Sequence, residues 1–191
     1  TTNGNANTVQ NNQANNNTQN GLVSNGTGDV VTDNSASGNH TGMTVSGAGA
    51  TASGNTATQN LFDGFLVGGS NIVFTNNSST NNADVGLQIG GTNNTFTHNY
   101  IGVTSGGDVG SNGGDGIWIE GASGNTIGGN TDAARNYISA NTGNGIHIFA
   151  CGGNLVDNIV VTGNYIGTNL DGDTQAGFGN GGSGVAINEQ Q

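Results

Sequence analysis

The chain contains almost no positive charge. Only one of its 191 residues is Lys or Arg, whereas twelve are Asp or Glu, so the formal net charge at pH 7 is −11. Proteins that bind nucleic-acid phosphates or anionic lipid headgroups present cationic surfaces to them. The charge balance therefore excludes nucleic acid and anionic membrane surfaces as partners.

Proline, cysteine and long apolar segments are equally scarce. There is no Pro and a single Cys, Cys151, so neither an internal disulfide nor a cysteine-based metal site is possible. We expect Cys151 to be packed rather than reactive. No apolar run approaches the roughly 18 residues that a membrane-spanning helix requires, so we expect no membrane insertion.

Glycine and asparagine dominate what is present. Gly occurs 38 times and Asn 34 times, while charged residues make up 7% of the chain, against about 25% in an ordinary globular domain. Gly, Asn, Thr and Ser are poor helix-interior residues, which excludes a helical bundle. The same composition is compatible with disorder, so the periodicity of the sequence decides between disorder and a fold.

A short phrase recurs along most of the chain: Gly, an apolar residue, any residue, and a second apolar residue. Successive glycines of this phrase are 21, 22, 22, 30, 29 and 39 residues apart. The copies begin at Gly21 (a degenerate copy), Gly42, Gly64, Gly86, Gly116, Gly145 and Gly184. Recurrence at a nearly fixed period is the sequence signature of a solenoid.

Other features keep the same phase. One Asn series consists of Asn12, Asn34, Asn55, Asn77, Asn99, Asn136 and Asn164, each two positions before a small or aliphatic residue. A second series, five residues after the first four, consists of Asn17, Asn39, Asn60 and Asn82. A third, apolar segment lies between the phrases, at positions 30–31, 72–74, 95–96, 126–127 and 155–156.

Three strand-like segments in about 22 residues predict one coil of a right-handed parallel β-helix. We therefore predict an all-β solenoid with three short strands per coil and about seven to eight coils. It should form a single domain over residues 1–191 without capping helices, either as a segment of a longer protein or as a subunit that stacks end to end. The Asn series should form ladders at the corners, where Asn tolerates positive φ.

Inward side chains of successive coils should form two apolar columns. The first is Leu22, Met43, Phe65, Leu87, Ile117, Ile146 and Val185. The second is Val45, Val67, Ile89, Ile119, Ile148 and Ile187.

Residues 103–115 and 168–183 lengthen two coils and are predicted to be loops at one corner, serving either for binding or as neutral insertions. Asp171 and Asp173 in the second loop could hold Ca²⁺ through oxygen ligands. No Glu stands at the twelfth position of either EF-hand register, so solvated loop acids are the alternative. No other cofactor is indicated.

Residues 164–169, followed by the strand that ends at Ile187, and the segments 124–129 and 141–146 resemble the parallel β-helix repeat of the pectate-lyase-like superfamily. The resemblance covers roughly residues 21–188 and implies the same fold. That superfamily includes pectate lyases, polygalacturonases, alginate epimerases, phage tailspikes and large secreted surface proteins. The repeats are most similar to those of bacterial surface and adhesin-like chains.

The catalytic machinery of these enzymes is largely absent from the sequence. A uronate lyase or epimerase needs a base and a cation for the substrate carboxylate, and Arg135 is the one Lys or Arg available. Glycoside hydrolysis requires two facing carboxyl groups, and we expect outward acids on adjacent coils to be scarce. We therefore favour a non-enzyme; a polysaccharide lyase, epimerase or glycoside hydrolase is the alternative.

One outward constellation suggests carbohydrate binding. Strand alternation points Trp118 and Glu120 outward from one coil and His147 and Phe149 from the next, with Gln88 one coil earlier. An exposed Trp beside a carboxylate and an imidazole resembles a sugar-stacking platform. Cover by a long loop or a neighbouring domain is the alternative, and Glu120 and His147 are the catalytic candidates as acid and base.

Two other outward columns are predicted. Tyr100, Tyr137 and Tyr165 should stack, either for stability or to line a glycan groove. The same column continues as Ser35, Thr56 and Ser78, flanked by Ser37, Thr58 and Thr80, and a Ser/Thr face of this kind resembles the arrays of ice-binding solenoids.

The function favoured by the sequence is a non-catalytic, extracellular or cell-surface module, acting as a scaffold, adhesin or filament subunit. Its partners would be further copies, neighbouring domains or polysaccharide. Glycosylation signals begin at Asn16, Asn25, Asn39 and Asn77. Carbohydrate binding or processing and ice binding are the alternatives.

Overall fold

The computed structural model describes residues 4–150 and 156–189. It contains 21 strands of two to five residues, numbered β1 to β21 in chain order, and one 3-10 helix at Asp132–Ala134. The strands form three parallel sheets of seven, so each coil contributes one strand to each sheet. The predicted right-handed β-helix with three strands per coil is confirmed, with seven coils. No helix in these residues is long and apolar enough to cross a bilayer.

The three sheets are named I, II and III in the order in which a coil visits them, starting from the Gly-led phrase. Sheet I consists of β3 Leu22–Ser24, β6 Met43–Val45, β9 Phe65–Val67, β12 Leu87–Ile89, β15 Ile117–Glu120, β18 Ile146–Ala150 and β21 Val185–Glu189. Sheet II consists of β1 Thr8–Gln10, β4 Val30–Thr32, β7 Thr51–Ser53, β10 Val73–Thr75, β13 Thr95–Thr97, β16 Thr126–Gly128 and β19 Val160–Thr162. Sheet III consists of β2 Gln13–Asn15, β5 Ser35–Ser37, β8 Thr56–Thr58, β11 Ser78–Thr80, β14 Tyr100–Ile101, β17 Tyr137–Ile138 and β20 Tyr165–Ile166.

The alignment of the predicted columns is confirmed by the strand register, but their last members, Val185 and Ile187, are exposed rather than inward on the edge strand β21. Leu87 pairs with Ile117, and Ile117 pairs with Ile146, and all three are fully buried. Sheet II supplies the aromatic filling, because Phe74 packs edge-on against Phe65 of sheet I with their ring centroids 5.1 Å apart. Apolar burial of this kind is the main favourable contribution to folding in a chain with so few charged residues.

The recurring glycine of sheet I is required by close approach of the backbones, not by an unusual φ. A Cβ on Gly42 would lie 2.5 Å from the carbonyl oxygen of Gly64 in the next coil, and one on Gly116 would lie 2.6 Å from that of Gly145. Real Cβ atoms do not come this close to backbone oxygens, so any side chain would force the coils apart. This contact explains why the phrase always begins with Gly.

Two corners carry buried asparagine ladders. In the first ladder, which joins sheets II and III, Asn55 shows the pattern: its Oδ1 accepts hydrogen bonds from the backbone N–H and the amide of Asn34. Its own N–H and amide donate to Oδ1 of Asn77, and the amide also donates to the Val31 carbonyl. Every donor and acceptor of the side chain is therefore used, as burial requires.

The second ladder, between sheets III and I, is longer than the sequence indicated. Beyond the four predicted members it continues through Asn112, Asn141 and Asn180. Asn112 and Asn180 lie within the lengthened loops, and the inserted residues hide their periodicity in the sequence. Asn141 lies five residues after Asn136, at the spacing of the predicted members, and was missed.

The prediction that the ladder asparagines themselves adopt positive φ is wrong. The left-handed residue is the one immediately before the ladder position: Asp33 (φ 54°), Asn76 (φ 55°) and His98 (φ 55°) precede Asn34, Asn77 and Asn99. This residue turns the corner, which leaves the following Asn with its side chain directed inward along the ladder. Because left-handed φ favours Gly, Asn and Asp, the turning residue carries its own sequence signal.

The apolar segment of sheet II was predicted incompletely. Thr51–Ser53 forms a strand although its small residues give little apolar signal, and the seventh strand of this sheet is Val160–Thr162 rather than 155–156. Val160 is the residue that pairs with Thr126 of the preceding coil. Val156 lies in no strand, and Leu155 lies outside the described residues.

The two predicted loops both connect sheet III to sheet I, at one corner. Each contains the same tight turn, closed by Thr104 N–H donating to the Asp108 carbonyl and by Asn169 N–H donating to the Asp173 carbonyl. Phe178 of the second loop packs with Val103 and Ala140 in a small apolar cluster of its own. The loops therefore pack on each other along one edge of the solenoid.

Candidate functional site

The outward face of sheet I brings together the aromatic residues that the sequence singled out. Trp118 pairs with His147 and Glu120 with Phe149 across β15 and β18, and Gln88 lies beside Trp118 on β12. The Trp118 ring lies 5.1 Å from the imidazole of His147 and 5.8 Å from the ring of Phe149, centroid to centroid. The predicted neighbours are confirmed as neighbours.

A cleft of about 290 Å³ lies against this face. Three of its lining residues are the predicted Gln88, Trp118 and Glu120. The other lining residues come from the corner that leads into sheet I: Phe62, Asp63, Asp84 and Val85. The cleft thus combines two aromatic side chains with three carboxylates and one amide.

Asp63 is the electrostatically unusual member of this cleft. Its Oδ1 accepts a hydrogen bond of 3.2 Å from the backbone N–H of Val85. Burial, and then repulsion from the Asp84 carboxylate, raises the pKa of Asp63 to about 6, although the Val85 hydrogen bond and the charge of His40 act in the opposite direction. His40 itself stacks on Phe62 with the ring centroids 4.5 Å apart.

The expectation that outward acids on adjacent coils would be scarce is wrong at this corner. Asp63 and Asp84 belong to successive coils and line one cleft. Both precede a Gly-led strand, at one and two positions before Gly64 and Gly86. This position before the glycine was the sequence signal that could have identified the two acids. It was not sufficient, because whether a side chain there turns inward or outward depends on the geometry of the corner.

His147 is held by hydrogen bonds at both ring nitrogens. Its Nδ1 lies 2.9 Å from Oδ2 of Asp115, and its Nε2 lies 3.0 Å from the side-chain amide of Asn188. Asp115 also accepts hydrogen bonds from the backbone N–H and the side-chain amide of Asn144. These hydrogen bonds therefore hold the imidazole in one orientation beside Trp118.

Asp63 is better suited to proton transfer than Glu120 and His147, the two residues predicted for that role. His147 has both nitrogens engaged, and Glu120 lies beside Phe149 rather than beside the imidazole. A carboxyl group whose pKa is raised next to a second carboxylate has the electrostatics of a general acid. Asp63, paired with Asp84, has those electrostatics in this cleft.

Trp118 carries a polar atom without a partner. Its indole Nε1 is buried and makes no hydrogen bond with any described residue. An unsatisfied buried donor costs about 1–3 kcal/mol, and such groups are uncommon in folded proteins. This donor is therefore a feature of the site that packing alone does not explain.

The tyrosine column lies on sheet III, separate from the cleft. Tyr100, Tyr137 and Tyr165 are aligned by register as predicted. The first pair is stacked with centroids 5.0 Å apart, but Tyr137 and Tyr165 meet edge to face at 81° because the guanidinium of Arg135 lies 3.9 Å from the Tyr165 ring centroid. The prediction that the three tyrosines stack is therefore wrong for the pair Tyr137 and Tyr165. Burial, and then Tyr137, raises the pKa of Tyr100.

The Ser/Thr columns of sheet III are in register over three coils, and Ser78 then pairs with Tyr100. Thr80 is buried, and its hydroxyl donates to that of Thr58. The exposed Ser/Thr surface of sheet III is therefore smaller than the sequence predicted. Ice binding there stays a prediction.

The loop carboxylates Asp171 and Asp173 are both exposed. Oδ1 of Asn169 accepts hydrogen bonds from the backbone N–H groups of both residues, so it shapes the turn itself. Across the described residues no three His, Cys, Asp or Glu side chains form a group that could hold a metal ion. The Ca²⁺ prediction has no geometric support there, and Cys151 lies outside the described residues.

Comparison with known proteins identifies the chain at the level of its family. The family described as right handed beta helix region matches residues 1–131. No curated protein matches, and no solved structure matches. The matched segment includes Phe62, Asp63, Asp84 and Trp118, and the same coil geometry continues beyond it to β21. The chain therefore belongs to the right-handed β-helix family.

Proposed function

We propose that this chain is an extracellular or cell-surface β-helix module that binds a carbohydrate in the cleft on sheet I, as an adhesin does. The solenoid serves as the rigid scaffold. Its coils hold Gln88 and Trp118 in register by backbone hydrogen bonds, so the site is largely preorganised and little entropy is lost on binding.

The observation that carries the proposal is the position of Trp118 in a polar cleft. Pyranose rings present apolar C–H faces that stack on aromatic side chains, while their hydroxyls need hydrogen-bond partners. Gln88, Asp84 and Glu120 line the same cleft and supply such partners. The cleft volume of about 290 Å³ is at the lower end of the ~300–1,000 Å³ range of small-ligand sites.

The composition supports an extracellular setting. A chain with one Lys or Arg offers trypsin-like proteases almost no cleavage sites. Among the glycosylation signals named above, Asn39 and Asn77 are buried members of the ladders and are inaccessible in the folded protein. Asn16 and Asn25 are exposed and remain candidates.

The test is a titration of the single Trp, Trp118, with an array of soluble oligosaccharides. Binding should change the indole fluorescence, and isothermal calorimetry should show at least a tenfold loss of affinity in Trp118→Ala. Tyr165→Ala on sheet III is the matched control and should bind as the wild type does. Failure of every glycan class to bind, or equal binding by Trp118→Ala, would overturn the proposal.

A second candidate function is hydrolysis of the bound glycan, favoured by the environment of Asp63. In that reaction the Asp63 carboxyl donates its proton to the glycosidic oxygen as the C1–O bond breaks and its electron pair passes to that oxygen. Water attacks C1 and gives its proton to the Asp84 carboxylate. Release of reducing ends that disappears in Asp63→Asn while binding persists would support it; binding without turnover would exclude it.

A further inference from the structure

The cleft on sheet I is unusually rich in negative charge. Asp63, Asp84 and Glu120 all line it. Arg135, the only Lys or Arg in the chain, is engaged on sheet III by the ring of Tyr165 and the carboxylate of Asp132. The charge that faces the carboxylates is that of His40, behind Phe62. A ligand of this cleft therefore meets carboxylates without a lysine or arginine counter-ion.

We propose that the cleft selects amino sugars, glycans that carry protonated primary amines, such as oligomers of glucosamine. The inference rests on the proposed carbohydrate-binding function and names the class of glycan. An ammonium group has three hydrogen-bond donors and no acceptor, which matches a set of carboxylate oxygens. Charge-assisted hydrogen bonds of this kind are shorter and stronger than neutral ones.

The aromatic residues of the cleft fit the same ligand. Trp118 stacks against the apolar face of a sugar ring, and an ammonium group near the face of Trp118 or Phe62 gains a cation–π attraction. Gln88 lies beside Trp118 and lines the same cleft. Its amide both donates and accepts hydrogen bonds, so it can pair with a sugar hydroxyl independently of the carboxylates.

The same charges reject acidic glycans. A uronate would bring a carboxylate next to Asp63, Asp84 and Glu120, and like charges at close range repel. The protein as a whole carries a net charge of −11, so its field also disfavours approach of a polyanion and favours approach of a polycation. N-acetylation removes the positive charge from the amine and should remove most of the selectivity.

Asp63 links this selectivity to pH. Its ionised form is disfavoured by burial and by Asp84, and a bound ammonium would favour it. Glu120 and Asp84 line the cleft with it, and His40 acts on it from the side of Phe62. The contribution of Asp63 to the affinity for an amino sugar should therefore be lost as the pH drops through about 6, whereas the affinity for a neutral glycan should not change.

The experiment compares three oligosaccharides of equal length by calorimetry in one buffer at a pH above about 6, where Asp63 is ionised: glucosamine, N-acetylglucosamine and galacturonate oligomers. The glucosamine oligomer should bind roughly tenfold tighter than the acetylated one, and the galacturonate should bind weakest. Asp84→Asn and Glu120→Gln should each reduce glucosamine binding several-fold and N-acetylglucosamine binding much less, because the new amide keeps an oxygen that accepts a hydroxyl hydrogen bond but loses the negative charge. Asp157→Asn, an equal change of net charge at an exposed position away from the cleft, should change neither.

The outcomes separate the two levels of the proposal. Equal or tighter binding of the acetylated or galacturonate oligomer would overturn amino-sugar selectivity and leave carbohydrate binding intact. An equal loss in Asp157→Asn would overturn the site and leave only a general charge effect. Binding of none of the three, together with none on the wider array, would overturn both.

Discussion

The asparagine ladders and the outward face of sheet I lie on the same seven coils, and they use repetition in opposite ways. Along each ladder the residue is always Asn, and each amide hydrogen bonds to the next coil. Along the outward face of sheet I the side chain changes from Leu66 to Gln88, Trp118 and His147 in successive coils. Repeating the same residue in every coil satisfies its hydrogen bonds. Changing the residue from coil to coil instead creates a binding site that occurs only once along the solenoid.

The two regions also differ in how completely their polar atoms are satisfied. Asn55 and Asn77 are almost fully buried, and every hydrogen-bonding group of the Asn55 side chain is used. In the cleft, Trp118 has a buried donor without a described partner, and Asp63 carries a charge that burial disfavours. Local instability of this kind accumulates where proteins bind or react.

The largest expected effect is in the ladder. Asn55→Ala leaves the buried N–H of Asn34 without its acceptor and removes the side-chain hydrogen bonds to the Asn34 amide, the Asn77 oxygen and the Val31 carbonyl. We expect the free energy of unfolding to fall by about 3–5 kcal/mol, because a buried group left unpaired costs about 1–3 kcal/mol and each further lost hydrogen bond about 0.5–1.5 kcal/mol. Chemical denaturation measures it. Asn25→Ala, at an exposed Asn outside the ladders, is the control and should change stability by less than about 0.5 kcal/mol.

An intermediate effect is expected at Asp115, which hydrogen bonds to His147 beside Trp118 and is bonded to Asn144 like a ladder residue. Asp115→Asn keeps one oxygen for Asn144 and turns an amide N–H₂ toward Nδ1 of His147. We expect a loss of about 1–2 kcal/mol in the free energy of unfolding. An unchanged stability would show that the pair between Asp115 and His147 contributes nothing, and that this position belongs with the site rather than the ladders.

The smallest expected effect is that of Asp63→Asn, which should raise the free energy of unfolding rather than lower it. The folded pKa of Asp63 is about 6, above its ordinary value of 3.8, so the folded protein binds this proton more tightly than the unfolded chain. The resulting cost is fully present above pH 6 and is lost as the pH falls toward 4. Asp63→Asn should therefore be more stable than the wild type at neutral pH by about 1 kcal/mol, after allowance for solvent screening.

The pH dependence provides the check on Asp63. The stability difference between Asp63→Asn and the wild type, measured by denaturation at several pH values, should shrink as the pH is lowered from 7 toward 4. Asp63 and Asp115 occupy equivalent positions one residue before a Gly-led strand. If Asp63→Asn raises the free energy of unfolding and Asp115→Asn lowers it, the contrast between site and ladder is supported. Changes of the same sign in both variants would contradict it.

Much of the architecture follows from the sequence because stacking makes each coil obey the same constraints. The Gly-led phrase predicted that Leu87, Ile117 and Ile146 share one column, and the same phase placed Trp118 beside His147. These predictions need only the two-residue alternation of a strand and a constant coil length. Where the length changes, as before Asn112 and Asn180, the periodic signal disappears although the hydrogen bonds do not.

The sequence by itself determined the repeat, the inward columns, the first ladder and the pairs of outward neighbours, because all of these are properties of a strand and its equivalents in adjacent coils. Only the tertiary structure decided that Asp63 and Asp84 converge with Trp118 on one cleft. The reason is physical. The path of the chain around a corner, and the burial of a carboxyl group there, depend on contacts between coils that no single repeat encodes.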